Sequence, residues 1–325
     1  MRLLIVGCGG IGCRHLQALA EMDESVEVQV VEPKSSSQET GKRLLEEVDT
    51  RSNVAAHWLD DIGSVKEGSD LAIVATTSQG RAEIIENLLA MGHKRFLIEK
   101  MVCQSAGEYD SLLDRFEEHQ AKGWVNCTRR YSPFYKEVIS LLAGKAPVAF
   151  NVTAGNLGLG CNAIHYLDLF AAIVTNANGI ELCGDYLSSQ LLPNERGEAF
   201  VELAGTLLAR CDEDGFASIT FQSCGDKAAG VISMVTEDCR VFVDEDQREA
   251  QVATSDGNWQ WKRCNFDIPY TSSATAEIAG SIVRDDKCRL PTVQDSCWIH
   301  KELFRVFNQH IERVTGEKRS LCPVT

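Results

Sequence analysis

The chain opens on an apolar run, Leu3-Leu-Ile-Val6, and up to about Gly123 such runs alternate with segments of helical periodicity. Runs apolar at consecutive positions suit strands buried on both faces, as in a parallel sheet; apolar residues three and four apart suit helices. The first run gives way to Ile11, Leu16 and Leu19 at helical spacing, and 26–31 is predicted as the second strand. A polar run over 33–39 precedes a helical pattern around Leu44, Leu45 and Val48, then a short strand over 54–58. Strands are predicted over 71–77, 95–98 and 124–127, and helices over 81–91 and 105–120.

Beyond Pro147 the pattern changes to strands with few helices. Segments 148–153, 205–211, 217–223, 230–235 and 240–243 are spaced as an antiparallel sheet, and helices are predicted over 163–174, 274–282 and 294–314. The chain is long enough for two domains. The expected class is therefore α/β: a doubly wound parallel sheet of the Rossmann type over 1–122, then an α+β domain on an open antiparallel sheet over 123–325.

The first strand runs into Gly7-x-Gly9-x-x-Gly12. Gly7 permits a tight turn, Gly9 lets the backbone approach a pyrophosphate, and Gly12 lets the next helix lie close to the sheet. That helix offers the ligand unpaired N–H groups and about half a positive charge. Twenty residues beyond Gly12, Glu32 ends the second strand, where a carboxylate can accept both ribose hydroxyls and repel a 2′-phosphate. NAD is the expected cofactor, with NADP possible because Lys34 and the serines after it soften the preference. The expected cofactor-binding set is Gly7, Gly9, Gly10, Ile11, Gly12, Glu32, Thr76, Thr77 and Glu99. Glu99 and Lys100 close the strand over 95–98, at the sheet edge where ligands gather.

Composition narrows the partners. With 32 basic and 47 acidic residues the formal charge is −15, which argues against a nucleic-acid surface or an anionic membrane face. Thirteen cysteines, scattered and without a Cys-x-x-Cys pair, read as reduced thiols, and no apolar run approaches membrane-spanning length. A cytoplasmic protein is expected. Histidine spacing points to no metal site, and nothing resembles a hydrolytic nucleophile–base–acid set.

Four pieces together, Gly7-x-Gly9-x-x-Gly12-x-x-His15, Glu99-Lys100-Met101, Arg129-Arg130-Tyr131-x-Pro133 and His165-x-x-Asp168, resemble the glucose-fructose oxidoreductase / inositol 2-dehydrogenase (Gfo/Idh/MocA) family. The resemblance implies a nucleotide-binding domain followed by an open-sheet domain that mediates homodimers or homotetramers, and a lysine, here Lys100, beside the nicotinamide. It also exposes departures: Met101 stands where the family usually has proline, Cys161 where many members place an aspartate, and Arg81 where a histidine is frequent.

Oxidising a secondary alcohol requires removal of the hydroxyl proton as a hydride leaves the same carbon. His165 is the expected general base, because imidazole is suited to proton transfer near neutral pH, and Lys100 the group that stabilises developing alkoxide charge. Arg129 and Arg130 either bind an anionic substrate or pair with acidic groups; Tyr131, Asn156, Asn162 and Asp168 are further substrate-facing candidates. Asp168 or Asn162 is expected to orient His165 in place of the missing aspartate, and Gly155, Gly158 and Gly160 to make the approach to it flexible. His15 is read as a packing or capping residue. The expected function is hydride transfer between nicotinamide and a sugar-like polyol, sugar acid or nucleotide sugar. The alternatives are a carbonyl or imine reductase, or an inactive cofactor-binding regulator.

Overall fold

In the computed structural model, which describes all residues except 49–53, 67, 175–178, 213, 224 and 268–270, the chain forms two compact units. The first takes residues 1–103, 107–128 and 269–296. Its strands and helices alternate: β1 (Arg2–Val6), α1 (Gly10–Leu19), β2 (Val26–Val31), α2 (Ser35–Glu46), β3 (Val54–Leu59), β4 (Leu71–Val74), α3 (Arg81–Ala90), β5 (Arg95–Ile98), α4 (Ala106–Glu118) and β6 (Lys122–Val125). The strands pair in parallel in the order β3-β2-β1-β4-β5-β6. Strand order reverses between β1 and β4, which opens a crevice at their carboxyl ends. All four residues of β4 are buried, as an unbroken apolar run in a doubly covered sheet requires.

Helix α2 starts at Ser35, inside the segment expected to be a polar run. Its first turns are mostly solvent-facing and its apolar residues fall near its end, so hydrophobic periodicity marks only the second half. Gly41 allows the close approach: a Cβ there would lie 2.5 Å from the Trp58 ring.

The second unit takes residues 104–106, 129–268 and 297–325. It contains α5 (Pro133–Leu142), β7 (Val148–Ala154), α6 (Leu159–Ala171), β8 (Glu181–Leu187), β9 (Leu192–Pro193), β10 (Val201–Glu202), β11 (Gly205–Cys211), β12 (Gly215–Phe221), β13 (Val231–Val235), β14 (Cys239–Asp244), β15 (Glu249–Thr254) and β16 (Lys262–Asn265). Eight strands form one sheet in the order β16-β15-β14-β13-β7-β12-β11-β8, and β9 and β10 pair separately. The sheet is mixed rather than wholly antiparallel, because β7 and β12 run parallel. Strands alternate buried and outward residues, and α6 covers the inner face, with Phe170 against Phe150 and Tyr166 against Phe221. Tyr186, Phe216, Val231 and Phe242 stand exposed on these strands. Strands β8, β15 and β16 carry too many polar residues to stand out in the sequence, whereas α5 carries a start signal, Pro133 at its first turn, that pattern reading passed over.

The chain then returns to the first unit. Helix α7 (Thr271–Asp285) lies there, as do the first residues of α8 (Val293–Thr315). The Val125 N–H donates to the Pro291 carbonyl at 2.9 Å, Asp286 pairs with Arg95 and Lys122, and Thr275 bonds His15. The first unit is therefore discontinuous in sequence. The boundary expected at Gly123 lies inside β6, which the ladder to β5 holds in the parallel sheet. No described helix is long and apolar enough to cross a membrane.

Candidate cofactor and substrate-site residues

The glycines of the first turn answer to different demands. Gly7 has φ +88° and donates its N–H to the Val31 carbonyl at 2.9 Å, and a Cβ on Gly12 would lie 1.9 Å from the Gly7 carbonyl oxygen. The fold itself requires these two. Gly9, in extended backbone at φ −73°, and Gly10 are different: a Cβ on either meets no protein atom within 4 Å. No side chain caps α1, so its first-turn N–H groups face this open space. That is the cradle a pyrophosphate fills.

Glu32, buried at the end of β2, accepts the Cys8 N–H on Oε2 at 2.8 Å and the Lys34 N–H on Oε1 at 3.0 Å. Each carboxylate oxygen keeps a second lone pair for a ribose hydroxyl. The residues present therefore fit a dinucleotide.

Along the same edge, Arg81 is the residue whose role sequence reading missed. It is only 1% exposed, and its guanidinium donates to the carbonyls of Thr76, Glu99 and Met101 and to Thr76 Oγ1 at 3.4 Å. By binding the carbonyls on both sides of Lys100 it fixes the backbone that carries the amine. A buried guanidinium with five donors suits such a clamp. The Lys100–Met101 peptide is cis. Thr76 thus contributes its carbonyl and hydroxyl to the clamp, while Thr77 is exposed beside it.

Glu99 points inward. Its Oε1 meets His15 Nε2 at 3.1 Å and accepts from Asn126 Nδ2 at 2.5 Å, and His15 Nδ1 meets Thr275 Oγ1 at 2.8 Å. Burial pushes the Glu99 carboxyl up, but the hydrogen bond and charge of His15, the Asn126 amide and the Lys100 charge outweigh it and hold it at about 2. Glu99 is thus an anion that ties α1 to the ends of β5 and β6 and to α7.

In the second unit His165 lies on α6, half-buried, with its Nδ1 sealed from solvent. The glycines before it are tightly packed, which overturns the flexible approach expected from the sequence. A Cβ on Gly155 would lie 2.7 Å from Ala228 N, one on Gly158 2.4 Å from Glu202 Cδ, and one on Gly160 2.6 Å from Glu202 Oε1. They are small because backbone and Glu202 come close. The Glu202 carboxylate, which burial pushes up, sits over the start of α6 and accepts the N–H groups of Cys161 and Leu203. Sequence reading missed Glu202; its only local trace is the pair of glycines.

Asn162 donates its amide to the carbonyls of Leu157 at 2.9 Å and Gly158 at 3.0 Å, closing the turn into α6. Asn156 is half-buried after β7, its N–H reaching the Asp226 carbonyl at 3.4 Å, and Tyr131 ends the 3-10 turn Thr128–Tyr131. Both arginines of that turn meet buried carboxylates. Arg130 forms a two-pronged pair with Asp168, Nε to Oδ2 at 2.7 Å and an Nη to Oδ1 at 2.5 Å. Arg129 binds both oxygens of Glu245 at 2.9 Å and lies 4.0 Å above the Tyr166 ring. The hydroxyls of Tyr135 and Tyr166 also donate to Glu245, at 2.6 and 3.0 Å. Burial pushes the Glu245 carboxyl up, yet the Arg129 charge and these hydrogen bonds hold it below the usual range. The arginines thus staple the turn to α6 just beyond His165, at Tyr166 and Asp168.

Comparison with known proteins agrees with this edge of the sheet. Residues 1–127 match the family model for GFO_IDH_MocA, described as an oxidoreductase family with an NAD-binding Rossmann fold. The match covers the first unit's glycine turn, Glu32 and Lys100, and is a likeness of those residues to that family. No curated protein matches the chain in sequence. Among solved structures, an oxidoreductase from Agrobacterium radiobacter in complex with NAD+, L-tartaric acid and magnesium has TM-score 0.74 and 11% identity, covering 98% of this chain and 97% of that one. Levoglucosan dehydrogenase in complex with NADH and levoglucosan has TM-score 0.73 and 13% identity, covering 97% and 98%. UDP-N-acetylglucosamine 3-dehydrogenase from Acidithiobacillus ferrooxidans has TM-score 0.70 and 13% identity, covering 94% and 96%. At these identities the likeness is one of fold.

The engagement of Arg130 is testable. Asp168 is fully buried, so Arg130→Met removes the charge that pairs with it, and the expected loss of stability is about 3 kcal/mol, measured by urea unfolding. Replacing both partners, Arg130→Met with Asp168→Leu, should recover most of it. An Arg130→Met variant of wild-type stability would mean that the guanidinium serves a ligand instead.

Proposed function

We propose that the protein is an NAD(P)-dependent oxidoreductase, NAD preferred, that moves a hydride between nicotinamide and a sugar-like polyol, sugar acid or nucleotide-linked sugar. The observation that carries the reading is the Lys100 backbone, clamped by Arg81 at the carboxyl end of β5, on the edge that also holds the glycine turn and Glu32. An ammonium there is suited to hydrogen-bond a substrate oxygen and stabilise alkoxide charge. His165 is the proposed general base, taking the hydroxyl proton in oxidation and returning it in reduction. Bound nicotinamide supplies the hydride acceptor or donor. Arg129, Arg130 and Asp168 act as positioning residues for α6, with Tyr131, Asn156 and Asn162 nearer the substrate. Dehydrogenases of levoglucosan and of UDP-N-acetylglucosamine on the same fold support a sugar-like substrate.

The apolar side chains exposed on the large sheet support a homodimer or homotetramer, and the thiol-rich composition suits the cytoplasm. A panel of sugars, sugar acids and nucleotide sugars, followed by absorbance of NADH in both directions, tests the activity. Turnover on at least one class is expected. NADH binding with no turnover on any of them would favour the cofactor-binding regulator. Glu32→Ser should shift the ratio of NADPH to NADH affinity by about tenfold or more toward NADPH, because the carboxylate that repels a 2′-phosphate is gone. An unchanged ratio would mean that the ribose is held by other groups.

A further inference from the structure

Cys8 lies within the glycine turn and Cys13 directly after it on α1, and their sulfurs are 3.4 Å apart. Cys13 Sγ also donates to the Cys8 carbonyl at 3.1 Å, so the two residues already face each other across the first turn of α1. Both are buried, at 0% and 3% exposure. We propose that Cys8 and Cys13 form a peroxide-sensitive modification site, closing to a disulfide that weakens NADH binding.

Cys13 sits near the N-terminus of α1, where the helix's unpaired N–H groups favour a thiolate, which makes it the nucleophile and Cys8 the resolving thiol. The hydrogen bond between the thiols acts the same way, pushing Cys8 up and Cys13 down. The Cys13 sulfur attacks one oxygen of hydrogen peroxide, the O–O bond breaks, and the released hydroxide leaves as water with the thiol proton, giving a sulfenic acid. Cys8 then attacks that sulfur, the S–O bond breaks, and a second water leaves with the Cys8 proton. Two thiols are oxidised by two electrons and one peroxide is reduced to two waters. Burial at this depth excludes bulky disulfide oxidants, so the oxidant is one of the smallest, hydrogen peroxide.

An S–S bond is about 2.05 Å, so closure draws the sulfurs together by about 1.4 Å. That pull acts on the peptide whose Cys8 N–H anchors Glu32 and on the first turn of α1, the two features that fit the dinucleotide. By reciprocity, bound NADH should shift the equilibrium toward the open dithiol by the same factor.

Tryptic cleavage after Arg2 and Arg14 releases 3–14, which holds both cysteines in one peptide. After peroxide treatment of the full-length protein and alkylation, this peptide is expected about 2 Da lighter and without alkyl groups, while exposed Cys183 and Cys264 form no such link. The dissociation constant for NADH should rise about tenfold or more and return on reduction with dithiothreitol. In Cys8→Ser, peroxide should leave a dimedone-reactive sulfenic acid on Cys13; in Cys13→Ser, Cys8 should show none. Two alkyl groups on the wild-type peptide after peroxide, or a closed link with unchanged NADH affinity, would overturn the proposal.

Discussion

Gly9→Ala is expected to weaken NADH binding by about 100-fold, equivalent to ~2.7 kcal/mol, while moving the melting temperature by no more than about 2 °C. Gly9 sits in extended backbone open to any residue, and its Cβ would touch no protein atom within 4 Å. Folding therefore loses little beyond a weaker N-cap. The methyl group instead occupies the space through which the backbone approaches the pyrophosphate. Gly12→Ala makes the contrast. Its Cβ would lie 1.9 Å from the Gly7 carbonyl oxygen, so α1 must move away from the turn, and stability and affinity should fall together, the first by about 3 kcal/mol. Fluorescence titration with NADH beside calorimetry separates the two outcomes. Wild-type affinity in Gly9→Ala would place the phosphates elsewhere.

Lys100→Met and His165→Ala should each reduce turnover by about 10²- to 10⁴-fold while NADH affinity stays within about threefold of wild type. Methionine keeps the length and apolar stem of the lysine in a site 8% exposed to solvent. The backbone stays in place because Arg81 binds the carbonyls on either side, and Glu99 keeps His15 and Asn126. What is lost is the donor to the substrate oxygen. In His165→Ala the group that takes the hydroxyl proton is lost, and added imidazole should restore part of the turnover. The measurement uses whichever substrate the sugar panel yields. Wild-type turnover in both variants would remove the proposed chemistry while leaving the cofactor fold untouched.

The sequence by itself determined the strand, the glycine turn and the helix after it, the acidic residue that ends the second strand, and the alternation that becomes the parallel sheet. Each depends on neighbours a few residues apart: side-chain periodicity, a left-handed φ at Gly7, or the spacing from Gly12 to Glu32. Polar-faced elements such as the start of α2 and strands β8, β15 and β16 were less legible, because the water-facing side of an element carries no hydrophobic signal.

Only the tertiary structure decided which polar groups meet. Arg129 finds Glu245 116 residues away, Arg130 finds Asp168 38 away, and residues 269–296 return to the first unit. It also decided that Gly158 and Gly160 make room for Glu202 rather than loosen a loop, and that Arg81 clamps the strand end before and after Lys100. A buried charge must find a partner, since leaving it without one costs several kcal/mol. Which partner it finds is set when distant segments pack together, and no local pattern in the chain records it.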